Sequence, residues 1–162
     1  MLMAGAGAAA LADNGDGRTN IDVECHCADK SGQKFCADFK DKIRNSAGYR
    51  LADGSAKGYG IAVHFSCVDL WQGIDNQLAG SMSAVSVAFT IYAENLPGEV
   101  YEDSSVFRVG KDAGDEMSQK IVAALGQLVT MNSTFFERER MAAQKPAAAP
   151  TPFVYPPPSP SP

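Results

Sequence analysis

Hydrophobic and polar residues alternate along three long stretches of the chain, and this period of two is typical of β-strands that bury one side. The stretches span residues 19–28, 59–68 and 84–92. A weaker alternation over 100–109 predicts a fourth strand, and residues 49–51 are a candidate for one further short strand. We therefore expect each long strand to have one apolar side and one polar side.

Two other segments repeat apolar residues at helical spacing and predict two amphipathic helices. The apolar stripe of the first consists of Phe35, Cys36, Phe39 and Ile43. The stripe of the second consists of Met117, Ile121, Leu125 and Leu128. These elements predict an α+β two-layer sandwich, in which a three- or four-stranded, mostly antiparallel sheet carries two helices on one face.

If the helices cover one face of the sheet, the opposite face stays open to solvent and is the candidate binding surface. We call it the open face, and its predicted residues are Asp22, Glu24, His26, His64, Ser66, Ser86, Thr90 and Tyr92, with Ala62 and Ala88 between them. Its two histidines are the only ones in the chain. A transition-metal site or a pH-sensitive pair is an alternative for them, but two histidines without a third fixed ligand favour ordinary exposed residues, and no metal site is predicted.

The four cysteines, an even number, favour two disulfides in an oxidising compartment. Cys25 and Cys27 form a poor pair, because residues two apart in a strand have parallel Cβ vectors. Two pairings remain, and we prefer Cys27 with Cys36 and Cys25 with Cys67. The alternative use of these cysteines is in a small metal- or redox-binding protein, although neither a zinc-ribbon spacing nor a Cys-x-x-Cys motif is present.

The chain divides into four predicted parts. Residues 1–18 are a leader remnant or disordered acidic linker, 19–131 an α/β domain, 132–144 a polar helical extension and 145–162 a proline-rich disordered tail. The tail holds eight of the nine prolines, which remove backbone donors and favour an extended conformation. It is interpreted as a spacer or, alternatively, as a docking segment anchored by Phe153 and Tyr155.

The amino-terminal segment points to export. Residues 1–12 carry no charge and end in Ala10-Leu11-Ala12, the small-x-small pattern that precedes a signal-peptidase site. No basic residue precedes this segment, so export requires that the start given lies inside a longer leader. The alternative is an Ala-rich flexible terminus.

Charge and motifs restrict the function. The net charge is −5 and the isoelectric point about 4.9, which argues against binding to nucleic acid. No apolar run reaches the ~18 residues of a membrane-spanning helix. Neither a nucleophile elbow, a phosphate-binding glycine loop nor an HExxH motif is present, so we predict no catalytic residue and no cofactor.

Residues 35–51 (FCADFKDKIRNSAGYRL), 59–69 (YGIAVHFSCVD) and 85–125 resemble, in pattern and order, exported bacterial domains of the TolB N-terminal and outer-membrane accessory lipoprotein kind. The resemblance implies a periplasmic module without catalytic residues that contacts protein partners of the cell envelope or of a larger assembly. No cysteine follows the candidate cleavage site, so a lipid anchor is not expected. We predict a periplasmic or secreted, non-enzymatic binding module; the oligomeric state stays open.

Overall fold

The computed structural model describes residues 17–52, 58–110 and 114–144. Five strands and three helices follow one another along these residues. In chain order they are β1 (Thr19–Cys27), α1 (Lys30–Arg44), β2 (Tyr49–Ala52), β3 (Tyr59–Asp69), β4 (Met82–Ala93), β5 (Val100–Gly110), α2 (Gly114–Met131) and α3 (Ser133–Gln144).

The strands form one sheet in the order β2-β1-β3-β4-β5. Strand β1 lies between β2 and β3 and runs parallel to both, whereas β3–β4 and β4–β5 are antiparallel. The predicted α+β class is correct, and both predicted helices are present with α3 as a third, but the expectation of three or four mostly antiparallel strands is wrong. The sheet has five strands and is mixed, because helix α1 returns the chain to the end of the sheet where β1 began, which makes β1 and β2 parallel.

Helix α1 begins where a side chain can satisfy the backbone N–H groups that the start of a helix leaves unpaired. Asp29 is the N-cap of α1, and its carboxylate accepts a hydrogen bond from the Gly32 amide at 2.8 Å. The same carboxylate accepts a hydrogen bond from the hydroxyl of Ser83, a fully buried residue of β4. Asp29 therefore joins the start of α1 to the sheet.

The hydrophobic core lies between the helices and one face of the sheet. The apolar stripe of α1 supplies Phe35 and Phe39, whose rings meet the ring of Phe65 on β3 edge to face at centroid distances of 5.4 and 5.1 Å. All three side chains are almost completely buried. Helix α3 adds Phe136, which packs against Tyr59 at the other end of β3. None of the helices in the described residues has the length and apolar character needed to cross a membrane.

The cysteines pair as Cys25–Cys36 and Cys27–Cys67, with Cα separations of 6.5 and 4.5 Å. The preferred pairing from the sequence is therefore wrong, and its alternative is the observed one. The reason is the parallel register of β1 and β3, which sets Cys27 directly opposite Cys67 and Cys25 opposite Phe65. Cys25 has no cysteine opposite it on β3 and pairs with Cys36 of α1, so this disulfide links the first strand to the first helix.

Candidate functional site

The structure places all the residues predicted for the open face on the same side of the sheet. Strand register aligns them in rows across β1, β3 and β4. These rows are Asp22–Ala62–Thr90, Glu24–His64–Ala88 and His26–Ser66–Ser86, with Tyr92 opposite Gly60 at the end of the sheet. Small side chains thus cover much of the open face, and the charged and aromatic side chains lie around them.

His64 lies at the centre of a hydrogen-bonded group of polar side chains on this face. Its Nδ1 is 3.1 Å from a Glu24 carboxylate oxygen, and its Nε2 is 2.8 Å from a Glu99 carboxylate oxygen. The Thr90 hydroxyl lies 3.1 Å from the same Nε2 and donates to Glu99 at 2.5 Å. We call these four residues the His64 cluster. It connects β1, β3, β4 and the turn before β5.

Glu99 was missed in the sequence because it lies outside the strand alternation. It ends the β4–β5 connection, directly before β5 begins at Val100. The only signal was the Leu96-Pro97-Gly98 turn, which brings the following residue back beside the end of β4. The other predicted histidine, His26, is largely exposed, and its Nε2 is 3.8 Å from the Glu24 carboxylate.

Both ring nitrogens of His64 face a carboxylate oxygen, which can only accept a hydrogen bond, so these contacts favour the doubly protonated ring. Partial burial lowers the pKa of His64, but the hydrogen bonds and negative charges of Glu99 and Glu24 outweigh it, and the pKa lies above its ordinary value of 6.5. Burial alone would raise the pKa of Glu99, because it disfavours the charged carboxylate. The hydrogen bonds with Thr90 and His64 and the charge of His64 outweigh burial, so the pKa of Glu99 lies below its ordinary value of 4.5.

Thr90, His64 and Glu24 have the connectivity of a hydroxyl–imidazole–carboxylate triad. The hydrogen bonds of the cluster work against that chemistry. The Thr90 hydroxyl donates to the Glu99 carboxylate rather than to the ring, so its proton is not directed at His64. The cluster in this form is suited to holding three strands and a turn in place while presenting charge.

Tyr92 lies over Gly60 on the open face. A Cβ at position 60 would lie 2.6 Å from the Tyr92 hydroxyl and 2.5 Å from the Asn20 carbonyl oxygen, so only glycine fits there. The hydroxyl is buried and has no hydrogen-bond partner among the residues that the structure describes. Burial raises the pKa of Tyr92, as do the negative charges of Asp22 and Glu99, so the phenol stays neutral.

Replacing Glu99 by Gln is expected to lower the free energy of unfolding by about 0.5–1 kcal/mol near pH 5.5, and by less near pH 8. Because folding raises the pKa of His64, the contacts of the protonated ring stabilise the fold below pH 6.5. This contribution is lost as the pH rises through the folded-state pKa. Because folding lowers the pKa of Glu99, the contacts of the ionised carboxylate stabilise the fold above pH 4.5. This contribution is lost as the pH falls through the folded-state pKa. Urea unfolding across this range, with Glu137→Gln on α3 as the control, measures the effect. An equal loss at every pH would contradict the ionised His64 cluster.

A second concave feature lies at the starts of α1 and α2. It is a cleft of about 240 Å³ with Phe35 and Val109 in its lining, and Lys34 at its edge is paired with Asp38. Across 17–52, 58–110 and 114–144, no group of three or more His, Cys, Asp or Glu side chains could hold a metal ion. The predicted tail anchors Phe153 and Tyr155 lie outside the described residues.

No model of a known protein family matches the chain, and no curated protein matches it. One similar solved structure is a dodecamer of a single-residue variant of PelC from Paraburkholderia phytofirmans. It is 14% identical, with a TM-score of 0.39, and the alignment covers 68% of this chain and 84% of that chain. A similarity this low assigns no function.

Proposed function

We propose that the protein is a disulfide-stabilised, non-enzymatic binding module, periplasmic or secreted, whose open face binds a protein partner of the cell envelope or of a larger assembly. The observation that carries the proposal is the His64 cluster. It holds two carboxylates in fixed positions on a sheet face that the helices leave uncovered. Disulfides are consistent with an oxidising compartment, which supports export.

The chemistry of the open face favours a basic partner surface. Glu24 and Glu99 are about half exposed, with side-chain accessibilities of 53% and 43%, and the whole chain carries a net charge of −5. His64 lies between the two carboxylates, and the neighbouring positions of the open face hold the small side chains of Ala62, Ser66, Ser86 and Ala88, which allow a partner to approach the sheet closely. Charge complementarity of this kind sets partner choice and the association rate more than it sets affinity.

A metal- or redox-binding protein built on the four cysteines has less support. Both pairs are disulfides, and none of the cysteines is free. A zinc site would require thiolates, which these bridges do not supply. Counting thiols and measuring metal content in unreduced protein tests this alternative; four free thiols with bound zinc would favour it.

Glu24→Lys is expected to weaken binding of the partner by about tenfold or more, because the reversed charge meets the basic surface of the partner. The partner is first identified by a photo-crosslinker placed at exposed Ser66, with one at Gln127 on α2 as the control, and affinities are then measured on purified proteins. Glu137→Lys makes the same charge change on α3 and is expected to have little effect.

Two results would contradict the open face as the binding surface. One is a crosslink that forms from Gln127 and not from Ser66. The other is loss of binding on deletion of residues 145–162 with an unchanged melting temperature, which would assign binding to the proline-rich tail.

A further inference from the structure

The His64 cluster holds one imidazole between two carboxylates, and an imidazole changes its charge near neutral pH. Its Nδ1 faces Glu24 of β1, and its Nε2 faces Glu99 in the turn before β5. The protonated ring offers an N–H donor and a positive charge to both carboxylates at once. The neutral ring carries only one N–H, so it can donate to only one of them. Loss of this proton therefore changes both the charge and the hydrogen bonding of the open face.

The two carboxylates are not held equally. Glu99 faces Nε2 at 2.8 Å and also accepts a hydrogen bond from the Thr90 hydroxyl. Glu24 faces Nδ1 at 3.1 Å and lies 3.8 Å from His26, whose side chain is 72% exposed. We therefore expect the neutral ring to keep its proton on Nε2 and its contact with Glu99. The lone pair of Nδ1 then faces the Glu24 carboxylate, and two acceptors repel each other, so Glu24 turns towards solvent.

The other ionisable side chains around His64 do not take over this role. On the open face these side chains are, in chain order, Asp22, Glu24, His26, Tyr92, Glu99 and Tyr101. Histidine is the residue type among them that ordinarily changes its charge between about pH 5 and 8. Burial and nearby carboxylates raise the pKa of Tyr92, so its phenol stays neutral. His26 is largely exposed, so solvent screens its effect on Glu24.

We propose that pH regulates the open face, so that a basic partner binds more tightly as the pH rises and His64 loses its proton. This inference rests on the proposed function, because it concerns the same surface and the same basic partner. At low pH the protonated ring neutralises part of the charge of Glu24 and Glu99, and it competes with a lysine or arginine of the partner. At higher pH the partner's cation replaces it. By linkage, binding of the partner must also favour loss of the proton and lower the pKa of His64.

Binding of a blocked octa-arginine peptide to the full, oxidised chain tests this inference, because the charge of arginine stays constant between about pH 5.5 and 8.5. The affinity is expected to rise about threefold or more across this range. NMR locates the peptide through the backbone amides of Ser66 and Ala88 and follows the titration of each histidine ring. The pKa of His64 is expected to fall when the peptide is bound.

His64→Gln removes the titrating ring and is expected to bind the peptide equally well at both pH values. The matched control is His26→Gln, which removes the other histidine of the open face and is expected to keep the dependence on pH. Thermal unfolding checks that both variants are folded. The titration of His64 in the wild-type protein remains decisive if His64→Gln does not fold.

The outcomes separate this inference from the proposed function. Equal affinity of the wild type at both pH values, or an unchanged pKa of His64 at saturating peptide, would overturn the inference while the open face remains the binding surface. Loss of the pH dependence in His26→Gln rather than in His64→Gln would overturn the assignment to His64. A peptide that shifts no open-face amide at either pH would contradict the preference for a basic partner, and this inference with it.

Discussion

Removing the Cys27–Cys67 disulfide is expected to lower the free energy of unfolding by about 4 kcal/mol, because the bridge closes the longer loop and restricts the unfolded chain more. Its cysteines are 40 residues apart, whereas Cys25 and Cys36 are 11 apart. Removing the shorter bridge is expected to cost about 3 kcal/mol. Denaturant unfolding of the double alanine variants under oxidising conditions measures both values.

The same variants decide the pairing, which a protease map resolves poorly because only His26 separates Cys25 from Cys27. With Cys27 and Cys67 replaced by alanine, the remaining pair is a native bridge, and the protein should contain no free thiol. With Cys25 and Cys67 replaced, each remaining cysteine has lost its native partner. If this second variant were the more stable and had no free thiol, the observed pairing would be contradicted.

Phe39→Ala is expected to lower the free energy of unfolding by about 3–5 kcal/mol, because it leaves a cavity where a buried ring was. Phe39 is completely buried on α1, and its ring meets that of Phe65 edge to face at 5.1 Å. The cavity would lie between the helix and the central strand of the sheet. Urea or thermal unfolding with intact disulfides is the measurement.

Two variants control this prediction. Phe39→Leu refills most of the volume and loses mainly the ring contact, so it is expected to cost about 1–2 kcal/mol. Met131→Ala removes a side chain that is 70% exposed and is expected to change stability by no more than about 0.5 kcal/mol. A Phe39→Ala effect as small as that of Met131→Ala would show that α1 does not pack on β3 as described.

Local patterns predicted much of the fold and of the open face. Alternation along β1, β3 and β4 correctly assigned Ile21, Val63 and Phe89 to the core and Glu24 and His64 to the other side. The apolar stripe of α1 correctly predicted the side chains of that helix that are buried. These predictions succeeded because the side on which a residue lies depends on backbone geometry over only a few neighbouring residues.

Properties that depend on residues distant in the chain were not predictable in the same way. Alternation contains no information on strand direction, so the parallel pairing of β1 with its two neighbours was missed. The disulfide partners depend on that register, because a shift of two residues would set Cys25 rather than Cys27 opposite Cys67. Glu99 joins His64 only because a turn and a strand pair bring together residues 35 apart.

The sequence by itself determined most of the residues buried on β1, β3, β4 and α1, the side of the sheet on which the residues of these strands lie, and where most helices and strands lie. Only the tertiary structure decided the order and direction of the strands, the cysteine pairs and the His64 cluster. The first group follows from the local periodicity of side chains, whereas the second requires knowing which distant segments become neighbours. That choice is made by the packing of the whole chain, through the return of α1 across the sheet and the core that forms beneath it.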